Sequence, residues 1–263
     1  MRIAVFVKYV PDAAGDRSFN EDNTVDRSVD GLLSELDEYA VEEALSIAED
    51  ADDAEVIAVT VGPDDAVDAV RKALQMGADS GVHVVDDSLA ASDALGTSKV
   101  LAATVKKIEE EEGPVDLVVT GMASTDGSMS VVPVQVAELL GRPAATFASS
   151  VTVDSDTVRI RRDGDVASQT IEVTLPALVS VTDQINEPRY PSFKGIMAAK
   201  KKPLEEYELS DLGLSADVAG TAGATTEVIE VTARPPRSAG EIITDDGDGG
   251  TKLVEYLAGQ KLV

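Results

Sequence analysis

The chain has 263 residues, 43% of them hydrophobic and 3% aromatic, which suits one large domain with a core of Val, Ala, Leu and Ile. It contains no cysteine, which excludes disulfides, thiolate nucleophiles and thiolate metal sites. Its single histidine argues against a histidine metal site or a catalytic triad. The 49 acidic and 22 basic side chains give a net charge of −27, which disfavours nucleic acid as a partner and is typical of adaptation to a very salty cytoplasm.

The opening residues MRIAVFVKYVPD carry an apolar run that is too short for a signal peptide, and no run approaches the length of a membrane-spanning helix. We therefore expect a cytoplasmic protein that does not insert into a membrane. Four apolar runs predict strands at Ile3–Val10, Glu55–Val61, Gly81–Val85 and Asp116–Thr120. Between and after them, helical spacing predicts helices at Leu36–Ala48, Asp64–Met76, Ser92–Glu112 and Val131–Leu140. We expect His83, which lies in GVHVV, to be an ordinary strand histidine.

These four strand–helix units predict an α/β fold with a mostly parallel sheet covered by helices on both faces. Right-handed crossovers then place all the strand-to-helix loops at one edge, where such sheets bind ligands. After residue 143 the period changes to two, which predicts an antiparallel meander of Ser150–Val153, Thr157–Arg161, Thr170–Leu175 and Leu178–Thr182.

The segment from 203 to 250 is rich in Glu, Asp, Gly, Thr and Pro, which is typical of an extended arm without its own core. We expect one short strand at Val228–Val231, a chain breaker at 233–237 and a closing helix at Thr251–Leu262.

The loop after the fourth strand contains small and hydroxyl residues and leads into a helix with Pro133 in its first turn. Free N–H groups at a helix start favour an anion such as a phosphate, and Gly127 lets backbone approach a ligand closely. The alternative is that Ser128 or Ser130 is only an N-cap in a solvated loop. The sequence has neither GxGxxG nor GxxxxGK[ST], so a standard dinucleotide site or P-loop is not supported.

Several segments carry a family resemblance: RIAVFVKYVPD at the start, DEYAVEEAL, VTVGP, ALQMGAD, DLVVTGMASTDGS and LPALVSVTDQINEPRYPSFKGIMAAKKKPLE. Over roughly residues 1–214 the chain resembles the beta (small) subunit of electron-transfer flavoproteins. The resemblance implies a Rossmann-like adenine-nucleotide-binding fold and a heterodimer with a larger alpha subunit that holds most of a shared FAD. It also implies a carrier without catalytic residues of its own, which accepts electrons from flavin-dependent dehydrogenases and passes them to the respiratory chain or another acceptor.

Two other classes share this kind of fold. An ATP pyrophosphatase-type ligase would need an SGGxDS-like loop after the first strand, where this chain has KYVPDAAGD. A stand-alone nucleotide-binding stress-type protein is usually much shorter and lacks the extension from 150 to 263.

By resemblance, the beta subunit binds a structural AMP, or a second FAD in electron-bifurcating members. The residues matched to this pocket are Phe6, Ser34, Glu35, Leu36, Asp37, Val61, Met122, Ala123, Ser124, Thr125, Asp126, Gly127, Ser128, Met129, Ser130, Val131, Val132 and Pro133. Backbone near Phe6 and Val61 would contact adenine, and amides from Ser128 to Val131 would contact phosphate. Many relatives have Asn-Pro-Phe at 34–36, an Asp-Gly-Asp-Thr run at 126–129 and Gln-Val-Gly-Pro at 131–134. By resemblance, electron-bifurcating members depend on that Thr and Gln, so their absence here favours AMP over a second FAD. Glu35 would lie near the phosphates unless it points away, which leaves an empty pocket open.

The stretch NEPRYPSFKGIMAAKKK at 186–202 holds five cations against one acid. By resemblance, 183–205 is the loop that docks a dehydrogenase, with Phe193 as its apolar anchor. The basic side chains Lys194, Lys200, Lys201 and Lys202 would guide the encounter with acidic partners. The alternative is that Phe193 packs back on its own domain and that the lysines cap a strand or coat a solvated face.

The resemblance therefore implies three parts: a nucleotide-binding α/β domain at 1–182, the recognition loop at 183–205 and an arm at 206–263 that contacts the alpha subunit. It also implies that the Arg162–Asp163 pair faces the alpha subunit, the alternative being an ordinary turn with an exposed salt bridge.

Overall fold

The computed structural model describes residues 1–15, 18–232, 234–235, 239–240 and 242–263. The chain divides into two compact units, Met1–Ile229 and Glu230–Val263. The predicted chain breaker at 233–237 falls largely outside the described residues. No helix in the described part of the chain is both long and apolar enough to cross a membrane.

The first unit is built on strands that alternate with helices along the chain. In chain order the strands are β1 (Arg2–Phe6), β2 (Tyr9–Pro11), β3 (Gly31–Leu33), β4 (Glu55–Val61), β5 (Ser80–Val84), β6 (Leu117–Gly121), β7 (Ala144–Asp154), β8 (Thr157–Asp163), β9 (Ser168–Thr174), β10 (Ala177–Val181) and β11 (Leu204–Tyr207). A nine-stranded sheet has the order β11–β5–β4–β1–β6–β10–β7–β8–β9, and β2 pairs with β3 separately.

Helices cover both faces of this sheet. They are α1 (Glu35–Asp50), α2 (Val67–Met76), α3 (Ala94–Glu112), α4 (Val132–Leu140), α5 (Phe193–Ala199) and the single turn α6 (Gly220–Gly223), and the second unit contains α7 (Gly249–Gly259). Buried residues of α1 and α2, such as Val41 and Val70, form one core with Val5. Residues of α3 and α4, such as Val105, form the other core with Ile57.

The structure confirms the predicted mostly parallel α/β sheet. The four predicted strands correspond to β1, β4, β5 and β6, and their mutual pairings are parallel. The predicted strand Ile3–Val10 is divided between β1 and β2. His83 lies in β5 with 1% exposure, as expected of a strand histidine, and its Nε2 lies 3.2 Å from the carbonyl oxygen of Gly62.

The predicted four-stranded meander is wrong in its last strand. β7, β8 and β9 are antiparallel neighbours, but β10 lies between β6 and β7 and is parallel to both. All five residues of β10 are buried, which is the pattern of an interior parallel strand rather than of a half-exposed meander strand. The sequence LPALVSV is apolar enough to allow that position.

The boundary of the arm also differs from the prediction, because residues 206–229 belong to the first unit. β11 pairs with β5, and Leu209 and Ala219 are buried. Asp93 caps α3 and accepts hydrogen bonds from the N–H groups of Thr225 and Thr226 at 2.7 and 3.1 Å. The described residues 228–231 form no strand.

Candidate nucleotide edge and docking segment

The carboxyl ends of β1, β4 and β6 meet at one edge of the sheet, because these strands are parallel neighbours. We call this edge, with the start of α1 and the loop 122–133, the nucleotide edge. It brings together Phe6, Val61 and Gly121, the last residues of the three strands. Ser34, just before α1, is fully buried and its Oγ accepts a hydrogen bond from the N–H of Thr125 at 3.3 Å. The two segments predicted to share a site are therefore in contact.

Asp37 is a buried carboxylate in the first turn of α1. Its Oδ2 accepts a hydrogen bond from the N–H of Lys8 at 2.9 Å. Burial raises the pKa of Asp37 to about 7, although hydrogen bonds from Lys8 and Gly121 and the charge of Lys8 oppose the rise. A Cβ at Gly121 would lie 2.5 Å from Oδ1 of Asp37 and 2.7 Å from the carbonyl oxygen of Leu36. Glycine at the end of β6 is therefore required for this contact.

Asp126 is fixed by two cations. Its side chain is 1% exposed and pairs with Nζ of Lys8 at 2.9 Å and with the guanidinium of Arg27. Burial raises the pKa of Asp126, but the charges of Lys8 and Arg27 and hydrogen bonds from Ser124 and Lys8 outweigh it and hold the pKa far below its usual range. The Asp126 charge is therefore neutralised locally. Sequence reasoning missed both cations, and no sequence motif marks Arg27.

The loop before α4 has strained backbone where phosphate contacts were predicted. Ser128 and Ser130 adopt left-handed conformations with φ of 51° and 57°, which are uncommon for residues other than glycine. The N-cap of α4 is Val131, with no side-chain cap hydrogen bond among the described residues. The alternative that Ser128 or Ser130 serves as the N-cap is therefore wrong. This arrangement leaves N–H groups at the start of α4 free of a side-chain cap.

The other predicted residues of the loop differ in exposure. Met122, Ala123, Ser124, Thr125 and Ser130 are half-buried, Gly127, Ser128, Met129 and Val131 are exposed, and Val132 and Pro133 open α4. Glu35 is exposed as well.

A cavity of about 650 Å³ opens beside the loop. It is lined by Ala13, Glu35, Leu36, Glu38, Tyr39, Lys72, Thr125, Ser128, Asp183, Pro188, Arg189 and Tyr190. Four of the predicted pocket residues belong to this lining, whereas Phe6 and Val61 do not. The segment 183–190 was predicted to dock a partner, so the cavity joins the two candidate sites.

The middle of the basic, aromatic stretch at 186–202 forms α5, whereas the residues before and after it are not helical. Phe193 is 80% exposed and Tyr190 94% exposed, so Phe193 does not pack back onto its own unit. Lys194, Lys200 and Lys201 are exposed. Lys202 differs, because its Nζ donates to the carbonyl oxygens of Leu74, Gly77 and Ala78 at 3.1, 2.9 and 2.5 Å. The ammonium of Lys202 thus caps the end of α2 instead of facing a partner.

Arg162 and Asp163 have separate partners within the chain. Nε of Arg162 donates to the carbonyl oxygen of Thr146 at 2.7 Å. Asp163 accepts hydrogen bonds from Ser149 Oγ at 2.5 Å and Arg161 Nε at 2.8 Å. Hydrogen bonds from Ser149, Ser168 and Arg161 lower the pKa of Asp163 to about 2. That this turn faces a partner chain stays a prediction.

Comparison with known proteins agrees with this geometry. The model of the electron transfer flavoprotein domain matches residues 22–212. The chain is 44% identical to electron transfer flavoprotein subunit beta of Mycobacterium leprae over 99% of both chains. It is 43% identical to the protein of that name from Mycobacterium tuberculosis over the same shares, and 34% identical to the Caffeyl-CoA reductase-Etf complex subunit CarD of Acetobacterium woodii over 93% of this chain and 92% of the relative. The chain therefore belongs to the family of electron transfer flavoprotein beta subunits.

Proposed function

We propose that this chain is the smaller subunit of a two-chain electron carrier. A larger alpha subunit holds most of a shared FAD, and the pair takes electrons from flavin-dependent dehydrogenases and passes them to the respiratory chain or another acceptor. The observation that carries this proposal is the near-complete overlap with relatives named electron transfer flavoprotein subunit beta. The helix α7 also supports the proposal of a partner chain. It has no buried residue and is too short to be stable alone in water, so we expect a second chain to stabilise it.

AMP is the ligand that best fits the nucleotide edge. The strained backbone of Ser128 and Ser130 and the uncapped start of α4 favour a phosphate. Asp126 does not oppose an anion strongly, because Lys8 and Arg27 neutralise its charge. The loop would hold the phosphate, and by family resemblance the ends of β1 and β4 would contact adenine.

A second FAD is the alternative ligand. The observation that favours it is the similarity to a subunit of a Caffeyl-CoA reductase-Etf complex. This chain has Val131, Val132 and Val134 beside the loop, and valine side chains provide no hydrogen bond to a flavin ring. AMP makes fewer demands on side chains in this region, because its phosphate is held by backbone N–H groups.

The segment 183–205 is the docking surface for the dehydrogenase. Phe193 is exposed on α5, and Tyr190 and Met197, which are near it in sequence, are also exposed. A solvent-exposed aromatic side chain surrounded by polar groups is typical of an interaction hot spot. Lys194, Lys200 and Lys201 add positive charge to a chain that is otherwise strongly acidic, which favours acidic partners.

The acidic composition fits a cytoplasmic protein that works at high salt. The net charge is −27, so the acidic side chains repel one another at low ionic strength, and salt screens that repulsion.

The test is the small-molecule content of the complex made by co-expressing this chain with its alpha subunit. Chromatography of the denatured complex should recover AMP and FAD, each in near-equal amount to this chain. Two FAD per complex without AMP, or FAD alone, would overturn AMP as the ligand. A chain that never associates with a flavin-bearing partner would overturn the carrier itself.

A further inference from the structure

The docking helix α5 is not stabilised by burial of its own residues. It has seven residues and none of them is buried. Helices of this length are unstable in water without tertiary contacts. The direction in which Phe193 projects must therefore be set by the residues on either side of α5.

The strongest contact lies just before α5, at Arg189. Its Nε and one terminal nitrogen donate to the two carboxylate oxygens of Glu42 at 2.7 and 2.9 Å. The other terminal nitrogen donates to Glu49 at 2.5 Å, and the backbone N–H of Arg189 donates to Glu42 at 3.0 Å. Both glutamates belong to α1. The planar guanidinium serves two carboxylates at once, which a lysine ammonium does not do with the same geometry.

Other contacts fix the same segment from both sides. The amide nitrogen of Asn186 donates to the carbonyl oxygen of Tyr39 and to Glu43, both at 3.1 Å. After α5, the ammonium of Lys202 binds the end of α2. A Cβ at Gly195 would lie 2.6 Å from a backbone carbonyl oxygen of α2, so α5 also lies directly against that helix.

From these contacts we infer that Arg189 is the positioning residue of the docking helix: it ties the chain before α5 to α1, so that Phe193 projects in one direction before any partner arrives. The inference rests on the proposed docking function of this segment. A preformed binding surface loses less conformational entropy on association. Arg189 therefore raises affinity for the dehydrogenase by acting through Phe193 and α5.

Hydrogen exchange of the two-chain complex, followed by mass spectrometry, tests the positioning directly. In Arg189→Gln, amides within 190–201 should exchange about tenfold faster or more, as expected when charged hydrogen bonds are lost. Arg189→Lys should be intermediate. Arg159→Gln is the matched control, because Arg159 makes two hydrogen bonds to Glu172 at 3.0 and 2.7 Å on the β8–β9 pair.

Exchange in 190–201 that is unchanged in Arg189→Gln, or raised equally in Arg159→Gln, overturns the inference. If Arg189→Gln does not fold, Glu49→Gln replaces it, since that variant weakens only the outer carboxylate contact. It should give a smaller acceleration confined to the same amides. No acceleration in Glu49→Gln would then refute the positioning role.

A kinetic measurement links positioning to docking. The probe is the flavin-dependent dehydrogenase from the source organism that reduces the wild-type complex. In Arg189→Gln its KM for the complex should rise about fivefold at unchanged kcat, because ordering the segment now opposes binding. An unchanged KM would refute this link. If Phe193→Ala leaves KM unchanged while Arg189→Gln still accelerates exchange, the docking function fails and the positioning role stands.

Discussion

Asp37→Asn tests the electrostatics of the nucleotide edge. Burial raises the pKa of the Asp37 carboxyl from 3.8 to about 7, against the opposing hydrogen bonds and charge of Lys8, and the nearby charge of Asp126 adds to the rise. The folded chain therefore binds this proton more tightly than the unfolded chain does. The resulting stabilisation is fully present below the unfolded pKa and is lost as pH rises through the folded pKa.

The size of the effect follows from the two pKa values of Asp37. Between about pH 5 and about pH 8, linkage removes about 2.5 kcal/mol from the free energy of unfolding. Asparagine does not titrate, so the variant lacks this loss. Its amide nitrogen would face one of the two backbone N–H donors, which lowers stability by an amount that does not depend on pH.

The assay is urea unfolding of wild type and Asp37→Asn at several pH values in concentrated salt. The informative quantity is the difference between the two free energies of unfolding, because the other carboxylates contribute equally to both proteins. That difference should shift by about 2.5 kcal/mol in favour of the variant from about pH 5 to about pH 8. A difference that does not change with pH would refute a raised pKa at Asp37.

Three further predictions concern the edge, the docking helix and the surface charge. Gly121→Ala should lower the free energy of unfolding, measured in urea, by about 3 kcal/mol, because the new Cβ would lie 2.5 Å from Asp37. Gly127→Ala is the control: its Cβ would have its nearest neighbour at 3.4 Å, so it should cost under about 1 kcal/mol. Equal losses would contradict the close approach. Phe193→Ala should slow reduction of the two-chain complex by the dehydrogenase about tenfold or more at low complex concentration, while the two chains stay assembled. Val166→Ala is the control, at a residue that is 99% exposed on the β8–β9 turn, and it should not slow the reduction. Lowering the salt concentration should lower the melting temperature, and a salt-independent melting temperature would contradict the proposed adaptation to high salt.

The parallel half of the fold was predictable because strands buried on both faces are continuous apolar runs in the sequence. The strands that begin at Arg2, Glu55 and Leu117 are almost wholly apolar, and helices with one apolar face separate them. β10 was misassigned because it follows three strands with period two and because periodicity does not encode which strand is its neighbour. A long-range pairing, with β6 and β7 on either side, decided its position.

The location of the candidate site was predictable from the sequence, but the cations that bind its carboxylate and carbonyl groups were not. The topology alone places Ser34 and the loop 122–133 at one edge, and the structure brings them into contact. Arg27 and Lys202 gave no such signal, because one lies in an acidic loop without a motif and the other belongs to a lysine run. Their roles depend on which carboxylate or carbonyl groups lie within reach, and those groups are distant in sequence.

One helix connects the nucleotide edge to the docking segment. The first turn of α1 carries Asp37 at the edge, and its later turns carry Glu42 and Glu49, which bind Arg189. A ligand that ordered the start of α1 would therefore act on the same helix that binds Arg189. The AMP that we propose for this edge would therefore serve the carrier by fixing α1, and through α1 it would hold the docking helix in one direction.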